Sequence, residues 1–273
     1  MSDLCETKIF SIGSINIDVY NLDQTKKLYL GGSILNTAYF LQNLFENQTA
    51  KILPVAVIGN DTFSEIILNK MKEKGFNTSY IKTIDGYSSK TDVFLNEFGE
   101  REIKHYPSVN SMLFQYIKDI IRPILDSNTI IHMKGDFKLV QKIFEITDSI
   151  FSADISGFLG SNDIIFNKRI VDNKKIRILL GNTQEYEKCA EILGLIDYRD
   201  ENNDLTTNST YFSKLKDIFQ SECIFIKEGA QGASVFYDDK FFHIDASKVN
   251  VVDTTGAGDA FNAGVIYAIC GGI

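Results

Sequence analysis

The chain has 273 residues, 44% of them hydrophobic and 23% charged, which is typical of a globular protein that buries a full core. Its formal net charge of -8 argues against general binding to nucleic acids or membrane surfaces, which depends on clustered Lys and Arg, and favours a small-molecule partner. Four dispersed cysteines without a CxxC pair and three dispersed histidines argue against a disulfide scaffold, a zinc site or a Ser/His/Asp relay.

Short runs rich in Ile, Val and Phe alternate with stretches of helical spacing, which predicts an α/β fold with a mostly parallel sheet covered by helices. The stretch DTFSEIILNKMKEKG predicts a helix that begins after Asp61 and stops at Gly75. In chain order, the predicted strands are KIFSIG from Lys8, KILPVAVIG from Lys51, TIIHMKG from Thr129, SIFSADIS from Ser149, IRILLGN from Ile176 and CIFIKEG from Cys223.

Two segments interrupt this alternation with period-two patterns that predict β-hairpins. The first, residues 88–106, turns around NEFGER and forms either an antiparallel edge or a flap over a site. The second, GASVFYDDKFFHID, turns at Asp238 and Asp239. We expect a single domain over residues 1–273, without a linker or an internal repeat.

The stretch DTTGAGDAF, residues 253–261, lies between the strand-like VNVV and the helical pattern AFNAGVIYAI. Helix-start N–H groups that are free of side-chain bulk can bind an anion, which predicts a phosphate site, although a tight turn capped by an acid fits the same pattern. Neither a Gly-Lys-Ser/Thr nor a third glycine follows, which excludes a Walker loop and a dinucleotide fingerprint. Asp259, one residue past the glycines, is placed to take a proton from an attacking hydroxyl, as in a phosphotransferase.

The same stretch resembles the signature D-T-x-G-A-G-D-x-F of the ribokinase-like, or PfkB, carbohydrate kinase family. The resemblance implies that Asp259 is the catalytic base, that Thr254 lies on the nucleotide side and that a monovalent-cation site lies near Asp253. It also implies an anion hole for the transferring phosphoryl group, formed by the backbone N–H groups of Gly256, Ala257 and Gly258.

Two further segments match the substrate side of this family. In YLGGSILNTAYFLQNL, Gly31 and Gly32 let the chain pass close to a substrate and Asn36 can bind a hydroxylated ligand, although a glycine-rich turn before a helix fits equally. In GSINIDVY, Asn16 and Asp18 leave the same face of an extended segment and suit vicinal hydroxyls, although Asp18 can also be a turn former.

The nucleotide side is represented by GNTQEYE and KEGAQGASVF. Asn182 and Glu185 match the family's N-x-x-E element, which organises Mg²⁺ and phosphates largely through water, whereas a helix N-cap with a capping Glu is the structural alternative. Lys227, Gly229 and Gly232 correspond to the segment that turns near ATP, and both glycines could instead serve only the hairpin.

The resemblance implies a three-layer α/β/α domain with a small β lid of about residues 14–32 and 86–107, where GER at 99–101 closes over the sugar and the lid contributes to a homodimer. The expected reaction is transfer of the ATP γ-phosphoryl group, with Mg²⁺, to a hydroxyl of a sugar or polyol. A nucleoside kinase and a catalytically weak sugar or nucleotide sensor are the alternatives. The family's further C-terminal helices are expected to be absent, because the sequence stops at YAICGGI.

We expect a cytoplasmic protein without a nucleic-acid or membrane partner. No stretch approaches the length of a transmembrane helix. The first residues, MSDLCETKIF, lack the basic region and the apolar run of a signal peptide.

Overall fold

The computed structural model describes residues 7–22, 25–46, 50–95, 101–126, 128–160, 174–195 and 209–271. The chain divides into two compact units, Met1–Ile130 with Asp259–Ile273, and Ile131–Gly258. The strands are β1 (Thr7–Gly13), β2 (Asn16–Leu22), β3 (Thr25–Gly31), β4 (Ala50–Gly59), β5 (Ile81–Ile84), β6 (Ser89–Leu95), β7 (Arg101–His105), β8 (Thr129–Lys134), β9 (Ser149–Asp154), β10 (Lys175–Asn182), β11 (Cys223–Lys227), β12 (Ala233–Tyr237) and β13 (Lys240–Ile244). The α-helices are α1 (Ser33–Leu44), α2 (Thr62–Glu73), α3 (Leu113–Ile121), α4 (Phe137–Phe144), α5 (Thr183–Ile192), α6 (Ser209–Phe219) and α7 (Ala257–Gly271).

The first unit contains a parallel group of strands in the order β1-β4-β5. The last eight residues of β4 are all buried, as expected for a parallel strand covered on both faces. The predicted helix from Asp61 is confirmed: the Asp61 carboxylate caps α2 by accepting the Ser64 N–H, and Gly75 follows the helix with a left-handed φ of 75°.

A separate four-stranded sheet in the same unit has the order β3-β2-β6-β7. Strand β2 runs parallel to β6 and antiparallel to β3, and β6 pairs antiparallel with β7, so the pairing predicted for residues 88–106 is confirmed. One row across the sheet consists of Tyr29, Asp18, Thr91 and His105 as direct neighbours. The turn itself, residues 96–100, and with it most of GER, lies outside the described residues.

In the second unit, β8, β9, β10 and β11 are parallel neighbours, and β12 and β13 add antiparallel at the edge. The predicted hairpin is confirmed, because Asp238 and Asp239 form its two-residue turn with positive φ of 49° and 57°. Each parallel strand ends in a polar residue at one edge of the sheet: Lys134, Asp154, Asn182 and Lys227. In open α/β sheets, ligands bind at this carboxyl edge.

The strand expected at VNVV is wrong. Residues 249–252 belong to no strand, and Val251 and Val252 are 68% and 98% exposed. β-Branched residues favour strands only where a neighbouring strand accepts their backbone hydrogen bonds, and no such partner pairs with them in the described part of the chain. The sequence pattern alone therefore predicted a strand that this segment does not form.

Candidate active site

The segment before α7 makes a sharp turn into the helix. Gly256 has a left-handed φ of 79°, and the Ala257 N–H donates to the Thr254 carbonyl oxygen at 3.1 Å. The Asp253 carboxylate accepts the Thr255 N–H at 2.8 Å, so this acid stabilises a local turn. Asp253 and Thr254 are both exposed, and the turn predicted as the structural alternative is present.

The carboxylate of Asp259 is held by helix α1. Its Oδ1 accepts a hydrogen bond from the Ser33 hydroxyl, and its Oδ2 accepts one from the Asn36 amide at 2.8 Å. Ser33 and Asn36 lie three residues apart on one helix face, so a single rigid element fixes both oxygens of the carboxylate. Sequence reasoning found Asn36 but missed Ser33, although its spacing from Asn36, directly after Gly32, was a usable signal.

Asn16, Asp18 and Gly31 meet on neighbouring strands. The Asn16 amide donates to the Asp18 carboxylate at 2.6 Å. Burial raises the pKa of Asp18, opposed by the Asn16 hydrogen bond and by the charge of His105. A Cβ on Gly31 would lie 2.4 Å from Oδ2 of Asp18, so the glycine leaves the space that this carboxylate occupies.

Gly32 has a different role, because it connects β3 to α1. It is the N-cap residue of α1 with a φ of 113°, a region that other residues rarely adopt. A Cβ here would also lie 2.5 Å from the Ser14 carbonyl oxygen. Gly31 thus lies beside Asp18, and the turn at Gly32 places Ser33, the first residue of α1, beside Asp259.

Asn182 and Glu185 form a capping box at the start of α5. The Asn182 side chain accepts the Glu185 N–H at 2.8 Å, and the Glu185 carboxylate accepts the Asn182 N–H at 2.8 Å. Burial raises the pKa of Glu185, and the negative charge of Asp154 adds to this. The cap considered as the structural alternative is therefore present, and it fixes the carboxylate at the polar sheet edge.

Lys227 reaches a buried carboxylate on another strand. Its Nζ lies 3.3 Å from Oδ2 of Asp154, whose side chain is 3% exposed. A Cβ on Gly258 would lie 3.5 Å from the same Nζ, so the ammonium lies against the loop that begins α7. His132, fully buried nearby, has its pKa lowered to about 4 by desolvation and is therefore neutral at pH 7.

Gly229 and Gly232 are required by the turn between β11 and β12. Both have positive φ, 61° and 115°, and a Cβ on Gly232 would lie 2.1 Å from the Ile244 carbonyl oxygen. Their conformations are thus accounted for by the hairpin, and their predicted contact with a nucleotide stays a prediction.

Among the residues that the structure describes, no group of three or more His, Cys, Asp or Glu side chains could hold a metal ion. Burial and the negative charge of Asp154 both raise the pKa of Glu185, and two carboxylates fit a cation held mainly by phosphates and water rather than by a protein cage. In the same described ranges, no helix is long and apolar enough to cross a membrane.

The second unit has a parallel sheet with polar residues at its carboxyl edge, and α7 begins with glycines and an acid; each feature is typical of α/β phosphotransferases. The profile of the pfkB family carbohydrate kinases matches residues 6–272, so the chain belongs to this family. It is accordingly a carbohydrate kinase, a phosphotransferase with an alcohol acceptor; kinases of this family use ATP and typically Mg²⁺.

Several known kinases are similar to this chain in sequence and in fold. The fructosamine kinase FrlD of Bacillus subtilis is 21% identical over 266 residues, covering 96% of this chain and 84% of FrlD. The ribokinase structure from Thermotoga maritima superposes with a TM-score of 0.72 at 18% identity, covering 97% of this chain and 86% of that one. The nucleoside kinase structure from Methanocaldococcus jannaschii gives a TM-score of 0.70 at 19% identity, with coverages of 98% and 86%. The predicted ribokinase-like three-layer α/β/α fold is confirmed.

Proposed function

We propose that the chain transfers the γ-phosphoryl group of ATP to a hydroxyl of a sugar or polyol, with Asp259 as general base. The observation that carries this proposal is the double hydrogen bond from Ser33 and Asn36 to the two oxygens of Asp259. A carboxylate oriented in this way keeps lone pairs for a substrate hydroxyl while its rotation is restricted. General bases typically contribute 10²- to 10⁴-fold to a rate.

The backbone at the start of α7 supplies the anion hole in this proposal. Helix-start N–H groups and the positive end of the helix dipole favour a negatively charged group there. The Ala257 N–H already donates to the Thr254 carbonyl oxygen. In this proposal Gly256 provides the left-handed turn before α7, and Gly258 leaves the adjacent space free of a side chain. Mg²⁺, organised by Glu185 through water, would neutralise charge on the donor phosphates.

Asn16 and Asp18 bind the acceptor hydroxyls in this proposal, and the four-stranded sheet is the lid over the acceptor. An amide and a carboxylate on one face of a strand offer a donor and acceptors to vicinal hydroxyls. Closure of the lid would exclude water, which would otherwise accept the phosphoryl group.

The test is ADP release with MgATP and a panel of sugars, polyols and nucleosides, measured for the wild type and Asp259→Asn. We expect kcat to fall about 10²- to 10⁴-fold, with small changes in KM, because the amide keeps the shape but not the basicity of the carboxylate. Asp238→Asn is the matched control, since Asn tolerates the left-handed φ of that exposed turn. Equal turnover by Asp259→Asn and the wild type would refute the assignment.

A nucleoside acceptor is the second candidate, favoured by the aromatic side chains beside Asp18. Tyr29 is the direct cross-strand neighbour of Asp18 and is 50% exposed, and its ring packs edge-on against Tyr20 at 5.3 Å. Exposed aromatic rings stack on bases. A higher kcat/KM for nucleosides than for free sugars, lost in Tyr29→Ala, would favour this candidate.

A further inference from the structure

The four parallel strands of the second unit bring residues of opposite charge together at one edge. Lys134, Asp154 and Lys227 end β8, β9 and β11, and Asp154 lies one strand away from Lys134 and two strands away from Lys227. Neighbouring strands are about 4.8 Å apart, so Lys227 extends its side chain across β10 to reach Asp154. This interaction with Asp154 restricts the otherwise flexible Lys227 side chain to one direction.

Asp154 is itself firmly held. Its Oδ1 accepts the Ser156 N–H at 3.0 Å and the Ser156 hydroxyl, while its Oδ2 faces the Lys227 ammonium at 3.3 Å. The Asp154 side chain is 3% exposed, and that of Lys227 is 15% exposed. A buried carboxylate with one oxygen fixed by its own chain offers a defined position for a cation on the other.

The position of the ammonium is informative because of what lies beside it. Nζ of Lys227 is 3.5 Å from the point where a Cβ of Gly258 would be, so it lies beside the small-residue loop of the proposed anion hole. We propose that Asp154 is a positioning residue, which holds the Lys227 ammonium against Gly258 so that its charge binds the donor phosphates. This inference rests on the proposed function of that loop.

The competing explanation is a buried ion pair that only supports the fold. Lys227 would be needed there as the partner of Asp154, and the nearness of Gly258 would be incidental. Buried pairs often add little net stability, whereas loss of one partner is costly, so stability measurements alone cannot separate the two explanations. The two explanations predict different phosphate affinities for variants of Lys227. They also differ in whether the effect of Asp154 depends on Lys227.

The experiment measures two properties of each variant: binding of inorganic tripolyphosphate and of Mg·AMP-PNP by calorimetry, and kcat with the KM values for ATP and acceptor. The variants are Asp154→Asn, Lys227→Met, Lys227→Arg and the double variant Asp154→Asn with Lys227→Met. Asp154→Asn removes the charge but leaves an oxygen for the Ser156 donors. Glu222→Gln is the matched control, because Glu222 pairs with Arg177 at the opposite, amino-terminal end of β10 and β11.

We expect Lys227→Met to lower kcat and tripolyphosphate affinity about 100-fold, the scale of one donor to a developing oxyanion, and Asp154→Asn to lower both about 10-fold. The acceptor KM should stay within about twofold, and Lys227→Arg should restore most of the binding, because it keeps the charge. In the Lys227→Met background, Asp154→Asn should add less than a twofold further loss. The control should leave kinetics and binding unchanged.

An equal loss from Asp154→Asn with and without Lys227, or unchanged phosphate binding in Lys227→Met, would overturn the inference. If Asp154→Asn does not fold, Lys227→Arg and Lys227→Met decide: similar tripolyphosphate affinities would overturn it, and a loss in Lys227→Met alone would support it. Absence of phosphoryl transfer by the wild type to every acceptor would refute the proposed function instead, while the tripolyphosphate titrations would still judge the role of Asp154.

Discussion

Gly31→Ala should separate substrate binding from stability. The new Cβ would lie 2.4 Å from Oδ2 of Asp18, whereas ordinary contacts begin near 3.4 Å, so the carboxylate has to move by about 1 Å. It also lies 2.7 Å from the Asn16 amide nitrogen, and the hydrogen bond between the two side chains is therefore disturbed. Misplacement of a binding group by about 1 Å can cost about 100-fold in rate.

The free energy of unfolding should change little in this variant. The clashing atoms are the ends of side chains, which puts the overpacking cost near the low end, about 1 kcal/mol. Gly31 has no positive φ, so Ala also loses less conformational entropy on folding, which contributes about 0.4 to 1 kcal/mol in the opposite direction. The two terms nearly cancel, and the melting temperature should shift by less than about 4 °C.

The assay is steady-state kinetics with the best acceptor of the panel, together with thermal unfolding. We expect kcat/KM for the acceptor to fall about 100-fold, while the KM for ATP stays within about threefold. Gly75→Ala is the control with the reverse pattern: its φ of 75° strains Ala, but nothing lies within 4 Å, so stability should fall without a kinetic change. A folded Gly31→Ala variant with wild-type acceptor kinetics would contradict the role given to Asn16 and Asp18.

Three predictions concern stability. Gly264→Ala should raise the free energy of unfolding by about 0.5 to 1 kcal/mol in denaturant titrations, because the site lies within α7 with open space around it. His132 has a folded-state pKa of about 4 against an ordinary value of 6.5, so about 3 kcal/mol of stability should be lost as pH falls from 6.5 to 4, and His132→Gln should abolish this loss. Arg177 and Lys175 lower the pKa of Glu222 to about 2, so its contribution should be present above pH 4.5 and disappear towards pH 2; a Glu222→Gln variant with the same pH dependence as the wild type would contradict this.

Much of the fold could be predicted from the sequence, because local signals and tertiary packing agree there. Strand β4 is one example, because its burial on both faces requires an apolar run. The Asp61 cap of α2 is another, because an otherwise unpaired helix N–H requires an acceptor. The hairpin at Asp238 and Asp239 likewise follows from residues that tolerate positive φ. The strand predicted at VNVV is wrong because β-propensity does not provide a neighbouring strand to pair with it.

The candidate site was predicted in parts, since a motif names residues but not their neighbours. Asp259 and Asn36 were found separately, yet their hydrogen bond joins positions 223 residues apart. Ser33 and Asp154 were missed because a serine in a first helical turn and an acid at a strand end are both common for local reasons. Only the fold brings Asp154 within reach of Lys227.

Two glycines in succession, Gly31 and Gly32, perform different tasks on the approach to Asp259. Gly31 leaves room for the Asp18 carboxylate, whereas Gly32 provides a backbone turn that other residues rarely adopt. Because α1 begins at the next residue, the turn at Gly32 also sets where Ser33 meets the Asp259 carboxylate. A change at Gly32 should therefore disturb the contact between Ser33 and the proposed base, while a change at Gly31 should disturb the proposed acceptor-binding pair.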